Sequence, residues 1–270
     1  MNPPGTLRLA MLPLLLLSAS CVPSEIPPPA KPAPRPLEIG TFFLGGAGSA
    51  APPVLFEHWR HRARYTCRLC HADLGFSMTR GGTGITAATN AGGYHCGACH
   101  NGKERALDKV AFPACADGPV AADCLRCHAG EQLAREDAFD QRQRRYDEVV
   151  RQLPRSAAGG IDWSRAVEER RIRLLDFTEG ASPAGRKLTM DRDVLFDLQR
   201  AGGVVFSHAT HVRWNGCELC HPQLFPTDAK ASLGYRMQRL ISGEHCGACH
   251  GKVAFALTEC DRCHTDSRGG

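Results

Sequence analysis

The sequence predicts two small modules of short α-helices and irregular loops, each wrapped around bound cofactors, with a helical linker between them. Three observations lead there. A Cys-x-x-Cys-His motif occurs six times. The chain repeats itself at a spacing of 150 residues. Its 270 residues include only 7% aromatic side chains, against 28 glycines and 18 prolines, which is too little to build two cores from side chains alone.

The six motifs are Cys67–His71, Cys96–His100, Cys124–His128, Cys217–His221, Cys246–His250 and Cys260–His264. This pattern is the attachment signature of c-type haem. Two thiols add across the two vinyl groups of one porphyrin, and two intervening residues set the sulfurs at the required separation. The histidine that follows is held under the iron as its proximal ligand. The thioether cysteines are therefore Cys67 and Cys70, Cys96 and Cys99, Cys124 and Cys127, Cys217 and Cys220, Cys246 and Cys249, and Cys260 and Cys263. The proximal ligands are His71, His100, His128, His221, His250 and His264. Chance would give on the order of 0.03 such motifs in a chain of this composition. Zinc clips use paired cysteines without requiring the adjacent histidine. Neither a disulfide framework nor repeated dithiol redox pairs would impose it either. Six covalently bound haem c are expected.

The chain has 12 histidines, and six lie outside the motifs: His58, His61, His95, His208, His211 and His245. Six irons each held by histidine on both sides need twelve, so none is left over. His58 and His61 lie three apart, as do His208 and His211. On a helix each pair projects from one face and reaches two neighbouring haems. His95 and His245 each stand immediately before a haem-attaching cysteine. Methionine also serves as an axial ligand, and Met78 and Met237 lie in the same stretches.

The 150-residue shift carries His58 onto His208, His61 onto His211, Cys67 onto Cys217, His95 onto His245 and His100 onto His250. Val54-Leu55-Phe56 maps to Val204-Val205-Phe206. Around the third motif the first copy carries two insertions, flanking a Lys-Val-Ala-Phe shared at 109–112 and 252–255. Met78 maps to Asp228 and Met237 to Ala87. Duplicated sites with one job should keep one ligand, which favours His95 and His245 over the methionines.

This order of residues resembles the three-haem c7 modules of the cytochrome c3 superfamily. It rests on Phe206-Ser207-His208-x-x-His211, the Cys217 motif, Gly243-x-His245-Cys246-Gly247-x-Cys249-His250-Gly251-Lys252, then Ala254-Phe255 and the Cys260 motif; the first copy follows from Phe56. The resemblance implies a multihaem cytochrome c fold. It also implies that His58, His61, His208 and His211 are distal ligands of different haems. In such modules the third distal ligand varies and can be methionine, which keeps Met78 and Met237 open.

Along the chain, residues 1–21 read as an export signal. Arg8 precedes a short apolar run from Leu9 to Leu17, too short to span a bilayer. Ser18-Ala19-Ser20-Cys21 resembles a lipoprotein signal, making Cys21 the candidate for lipidation and attachment to a membrane surface. A Pro/Gly-rich tether follows over 22–53. Module 1 spans 54–130 and module 2 spans 204–264, with a tail at 265–270. The helical linker, 131–203, contains a rough apolar stripe of Leu133, Phe139, Tyr146, Val150 and Leu153. A second helix is expected from Ile161 to Phe177, capped by Asp162, and the linker is expected to be a solvated spacer. Cys115 is left over once haem and lipid have taken the other 13 of 14 cysteines.

The formal charge is +5. Twelve propionates would bring the haem-loaded protein to about −7, so the basic balance is no argument for nucleic acid. The expected function is a hexahaem c-type cytochrome, not an enzyme. It would relay electrons in the bacterial cell envelope, periplasmic or associated with the outer membrane, through low-potential, mainly bis-histidine haems. Its partners would be other redox proteins, with no small-molecule substrate. The alternatives are an electron-transfer subunit of a reductase complex and a reductase with one open haem.

Overall fold

The structure is a computed structural model that describes residues 40–45, 52–106, 109–114, 121–128, 136–176, 190–196, 203–228 and 234–264. All of these belong to one compact unit, 36–270. The expected signal, Cys21, most of the tether, Cys115 and the tail lie outside the described residues.

The elements are short, as a chain poor in side-chain core demands. Strand β1 (Thr41–Leu44) pairs antiparallel with β2 (Val54–Glu57), with Thr41 opposite Glu57 and Leu44 opposite Val54. The β-prone Thr-Phe-Phe-Leu of β1 falls inside the segment expected to be tether. It gains its partner only from β2, across an intervening stretch of chain. Strand β2 runs straight into helix α1 (His58–Arg62), where Glu57, 6% exposed, pairs with Arg60 at 2.5 Å. Helix α2 (Ala87–Ala91) starts from a capping box between Thr86 and Thr89. A 3-10 turn, His95–Ala98, follows it. The two-residue strands β3 (Arg105–Ala106) and β4 (Lys109–Val110) then pair, and helix α3 (Ala121–Cys127) carries the third motif.

The linker contains helix α4 (Glu136–Val150) and helix α5 (Trp163–Glu168). The side chain of Asp162 accepts from the Arg165 backbone N–H at 3.1 Å, as a cap should. Helix α5 is much shorter than the segment expected from Ile161 to Phe177. Arg170 adopts φ 56°, which ends the helix. The chain then runs extended beside the first copy, where Leu175 N–H donates to Arg64 O at 2.7 Å and Thr66 N–H to Leu175 O at 3.0 Å.

The second copy repeats the first. Strand β5 (Asp193–Phe196) pairs with β6 (Val204–Ser207), which leads into helix α6 (His208–Asn215), and helix α7 (Met237–Ile241) precedes a 3-10 turn, His245–Ala248.

The linker is not a solvated spacer. Trp59 of α1, Tyr146 and Val150 of α4, Ile161, Trp163 of α5 and Trp214 of α6 form one buried cluster. Trp59 and Tyr146 meet edge to face at 5.2 Å. The cluster draws on both copies and on the linker. Full burial of each such side chain contributes about 1.5–3 kcal/mol.

Candidate functional site

In a helical turn, residues i, i+3 and i+4 share one face. A Cys-x-x-Cys-His segment wound in that way aims both thiols and the imidazole to the same side. The backbone closes such a turn in the second to sixth motifs. His100, His128, His221, His250 and His264 each donate their N–H to the first cysteine's carbonyl at 2.8–2.9 Å. The first motif lies in a wide turn over Leu69–Asp73. Gly97 and Gly247 make the second motif of each copy possible. A Cβ there would sit 1.8 Å from the carbonyl oxygen of Asn90 or Leu240.

The imidazoles are oriented by the backbone. Among the motif histidines, Nδ1–H donates to Phe76 O from His71 (2.9 Å), to Phe112 O from His100 (3.0 Å), to Pro52 O from His128 (2.6 Å) and to Phe225 O from His221 (2.8 Å). Among the others, His58 donates to Gly40 O (2.8 Å), His61 to Glu57 O (3.3 Å), His208 to Arg192 O (2.8 Å), His211 to Ser207 O (2.8 Å) and His245 to Leu224 O (3.0 Å). A carbonyl only accepts, so the proton must sit on Nδ1. That leaves the Nε2 lone pair to a metal.

The rings face one another in pairs. Ring centres lie 6.4 Å apart for His58 and His71, 6.3 Å for His61 and His100, and 6.1 Å for His211 and His250. An imidazole nitrogen about 2 Å from iron, and about 1.1 Å from its own ring centre, puts two trans ligands roughly 6.2 Å apart. The three gaps therefore fit an iron between the rings. Phe56 stacks on His61 at 4.7 Å and Phe206 on His211 at 4.2 Å, which holds these two imidazoles in place.

Burial pushes His58, His61 and His250 down to about 4. It lowers His71, His100 and His211 as well. Neutral rings are what an iron requires. Burial drives the Cys70 and Cys249 thiols up to about 12 and Cys246 to about 11, with neighbouring thiols adding to it. A zinc or dithiol site needs the reverse. Among the described residues no group of three or more potential metal-binding side chains converges. The twelve motif cysteines form no disulfides with one another.

One cavity of about 3360 Å³ runs through both copies and is lined by cysteines and histidines of all six motifs. An ordinary ligand pocket holds about 300–1,000 Å³, so this space suits several cofactors.

His95 and His245 share a backbone conformation that L-residues rarely adopt, with φ 49° and 51°. His95 Nδ1 and His245 Nε2 are buried without a hydrogen-bond partner among the described residues. The side chains of Met78 and Met237 are 44% and 45% exposed. The shared Lys-Val-Ala-Phe was visible as a repeat, but its role was not. Phe112 packs on His100 at 4.5 Å with Arg126 over its ring at 3.7 Å; Phe255 does the same with His250 at 4.2 Å and Arg262 at 4.1 Å.

Duplicated cysteine pairs around one large apolar space, with imidazoles facing across gaps of iron size, define a multihaem c-type site. The chain belongs to the family described as cytochrome c7 and related cytochrome c, which it matches over 54–129 and 204–265, a little over half its length. The six cysteine pairs carry six haem c, and electron transfer is the work of the family. The chain is similar to the C-terminal hexahaem fragment of GSU1996, at 24% identity over 83% of this chain and 96% of that one, with a TM-score of 0.26. It is also similar to the whole dodecahaem cytochrome c GSU1996, at 22% identity over 85% and 75%, with a TM-score of 0.25. No curated protein matches.

Proposed function

We propose that this protein is a hexahaem relay of the bacterial cell envelope whose irons are closed on both sides by histidine. The observation that carries the reading is the set of three facing ring pairs, each about 6 Å apart, of which His61–His100 and His211–His250 occupy matched positions of the two copies. His58 and His71, His61 and His100, and His211 and His250 supply three pairs. The repeat gives His208 and His221 as the fourth. His95 and His245 remain for the third motif of each copy, beside His128 and His264, in preference to Met78 and Met237. When bound, the haems supply one-electron redox chemistry. Histidine on both faces leaves no position for a substrate and favours a low potential relative to His–Met ligation. No helix among the described residues is long and apolar enough to cross a membrane. Export by the segment 1–21 and lipidation of Cys21 would tether the carrier to a membrane surface, where it exchanges electrons with other redox proteins.

Spectroscopy on protein matured in a host that assembles c-type cytochromes tests this reading. All six irons should be low-spin, with midpoint potentials below those of His–Met cytochromes, and carbon monoxide should leave the reduced spectrum unchanged. Carbon monoxide binding by the native reduced protein would overturn it.

A further inference from the structure

Arg68 and Glu218 occupy the same position of the two copies, directly after the first cysteine of the first motif in each. They also touch: Arg68 Nε donates to Glu218 Oε1 at 2.5 Å. A position that meets its own counterpart lies where two related units face each other across a local twofold. The duplication has placed opposite charges there.

The contact is built on both sides. Arg68, 8% exposed, also donates from Nη1 and Nη2 to the Asp73 carboxylate at 2.7 and 2.8 Å, and from Nη1 to Asp176 at 3.2 Å. Three carboxylates thus hold one planar fork. Burial opposes the charge on Arg68, but these partners outweigh it and raise its pKa. Gly216 has φ 66°, and a Cβ there would lie 2.7 Å from Arg68 Cδ and 2.7 Å from Glu218 Oε2. The matched position in the first copy is Thr66, whose hydroxyl donates to Asp176 at 2.6 Å. One copy clears the space and the other holds the carboxylate. A second arginine pins the same junction: Arg62 Nη1 donates to Val253 O at 2.6 Å, with its guanidinium over Trp163 (5.0 Å) and Trp214 (4.9 Å).

We infer that electrons cross between the modules at the first motif of each, Cys67–His71 to Cys217–His221, and that the Arg68–Glu218 pair is the positioning contact that holds this crossing. The inference rests on the hexahaem reading above and adds the route. The step is a single-electron exchange, ferrous to ferric on one side and ferric to ferrous on the other, with no bond made or broken. Arg68 favours the reduced form at both motifs and Glu218 opposes it, because reduction lowers the positive charge beside them.

The test is a haem-resolved redox titration by NMR on the full-length six-haem protein, wild type, Glu218→Gln and Arg68→Gln. In the wild type, the largest redox interaction between modules should join the two first-motif haems. Glu218→Gln should raise the potentials of those two relative to the other four, and Arg68→Gln should lower them. The Glu218 side chain is 40% exposed, so Glu218→Gln keeps the test decisive if Arg68→Gln fails to fold. A largest interaction running instead from the third motif of module 1 into module 2 would overturn the inference. So would a Glu218→Gln variant that shifts all six potentials alike or none. Fewer than six haems per chain, or an iron that is not low-spin, would instead overturn the proposed function, and the inference with it; haem count and spin state separate the two failures.

Discussion

His61 faces His100 with ring centres 6.3 Å apart and ring planes at 64°, and their counterparts His211 and His250 repeat this at 6.1 Å and 62°. Two pairs separated by 150 residues have kept both distance and angle. Unpartnered core histidines have no reason to do so. Rings that grip a metal from opposite sides keep their separation, because bond length and tautomer fix both ends, and the matched stacking of Phe56 on His61 and Phe206 on His211, both at 27°, keeps the angle.

On the proposed ligation, removing the His61 or His211 ring should open one iron. In His61→Ala the reduced protein should bind carbon monoxide at a single haem, and a high-spin signal from one iron should appear in the oxidised spectrum. His211→Ala should give the same result in the second copy. Unchanged low-spin spectra in both variants would remove these residues from the ligand set.

The glycine between the cysteines of the second motif should tolerate no side chain. In Gly97→Ala and Gly247→Ala the new methyl meets a backbone carbonyl at 1.8 Å, which cannot move as a flexible side chain would. Overpacking of this kind costs roughly 1–3 kcal/mol, and here it also disturbs a haem-attaching turn. Denaturant unfolding of the six-haem protein should show the loss. Gly84→Ala, with nothing within 4 Å of the new methyl, should leave stability unchanged.

Trp163 is 5% exposed at the junction of the linker and both copies. Trp163→Ala should lower unfolding free energy by roughly 3–5 kcal/mol. Limited proteolysis should then cut the linker before either module. Cleavage at the wild-type rate would mean that the linker does not tie the copies together.

Acid should weaken the fold in a defined window. Burial, opposed only in part by the carbonyl hydrogen bonds, holds His58, His61 and His250 near 4, against 6.5 for an exposed histidine. Between these values the unfolded chain binds more protons than the folded one, so stability rises with pH there. Its full value is present above about 6.5 and is lost as pH falls towards about 4. An iron bond at Nε2 adds to the same preference. Denaturation midpoints should be level from pH 8 to about 6.5 and then decline. A midpoint that rises on acidification would contradict the buried neutral rings.

What the sequence made legible was what lies close along the chain. The six motifs announce their chemistry within five residues, and the repeat made the non-motif histidines stand out at His58, His61, His95 and their counterparts. The Tyr146–Val150 stripe was visible too, but not what it packs on, because Trp59 and Trp214 come from distant parts of the chain. Helix α5 ended early because Arg170 takes a left-handed φ that its residue type does not announce. Strand β1 hid in a proline-rich stretch, since Thr-Phe-Phe-Leu becomes a strand only when β2 is beside it. Arg68 and Glu218 could be aligned as equivalents, yet alignment of two copies says nothing about whether they touch.

The most direct test of covalent haem at all six motifs is the haem count itself. Intact mass combined with a pyridine haemochrome assay, on full-length protein matured where c-type cytochromes assemble, should give six haem c per chain with all twelve motif cysteines consumed. Five or fewer, or motif thiols that still react with a thiol reagent in the folded protein, would contradict the account.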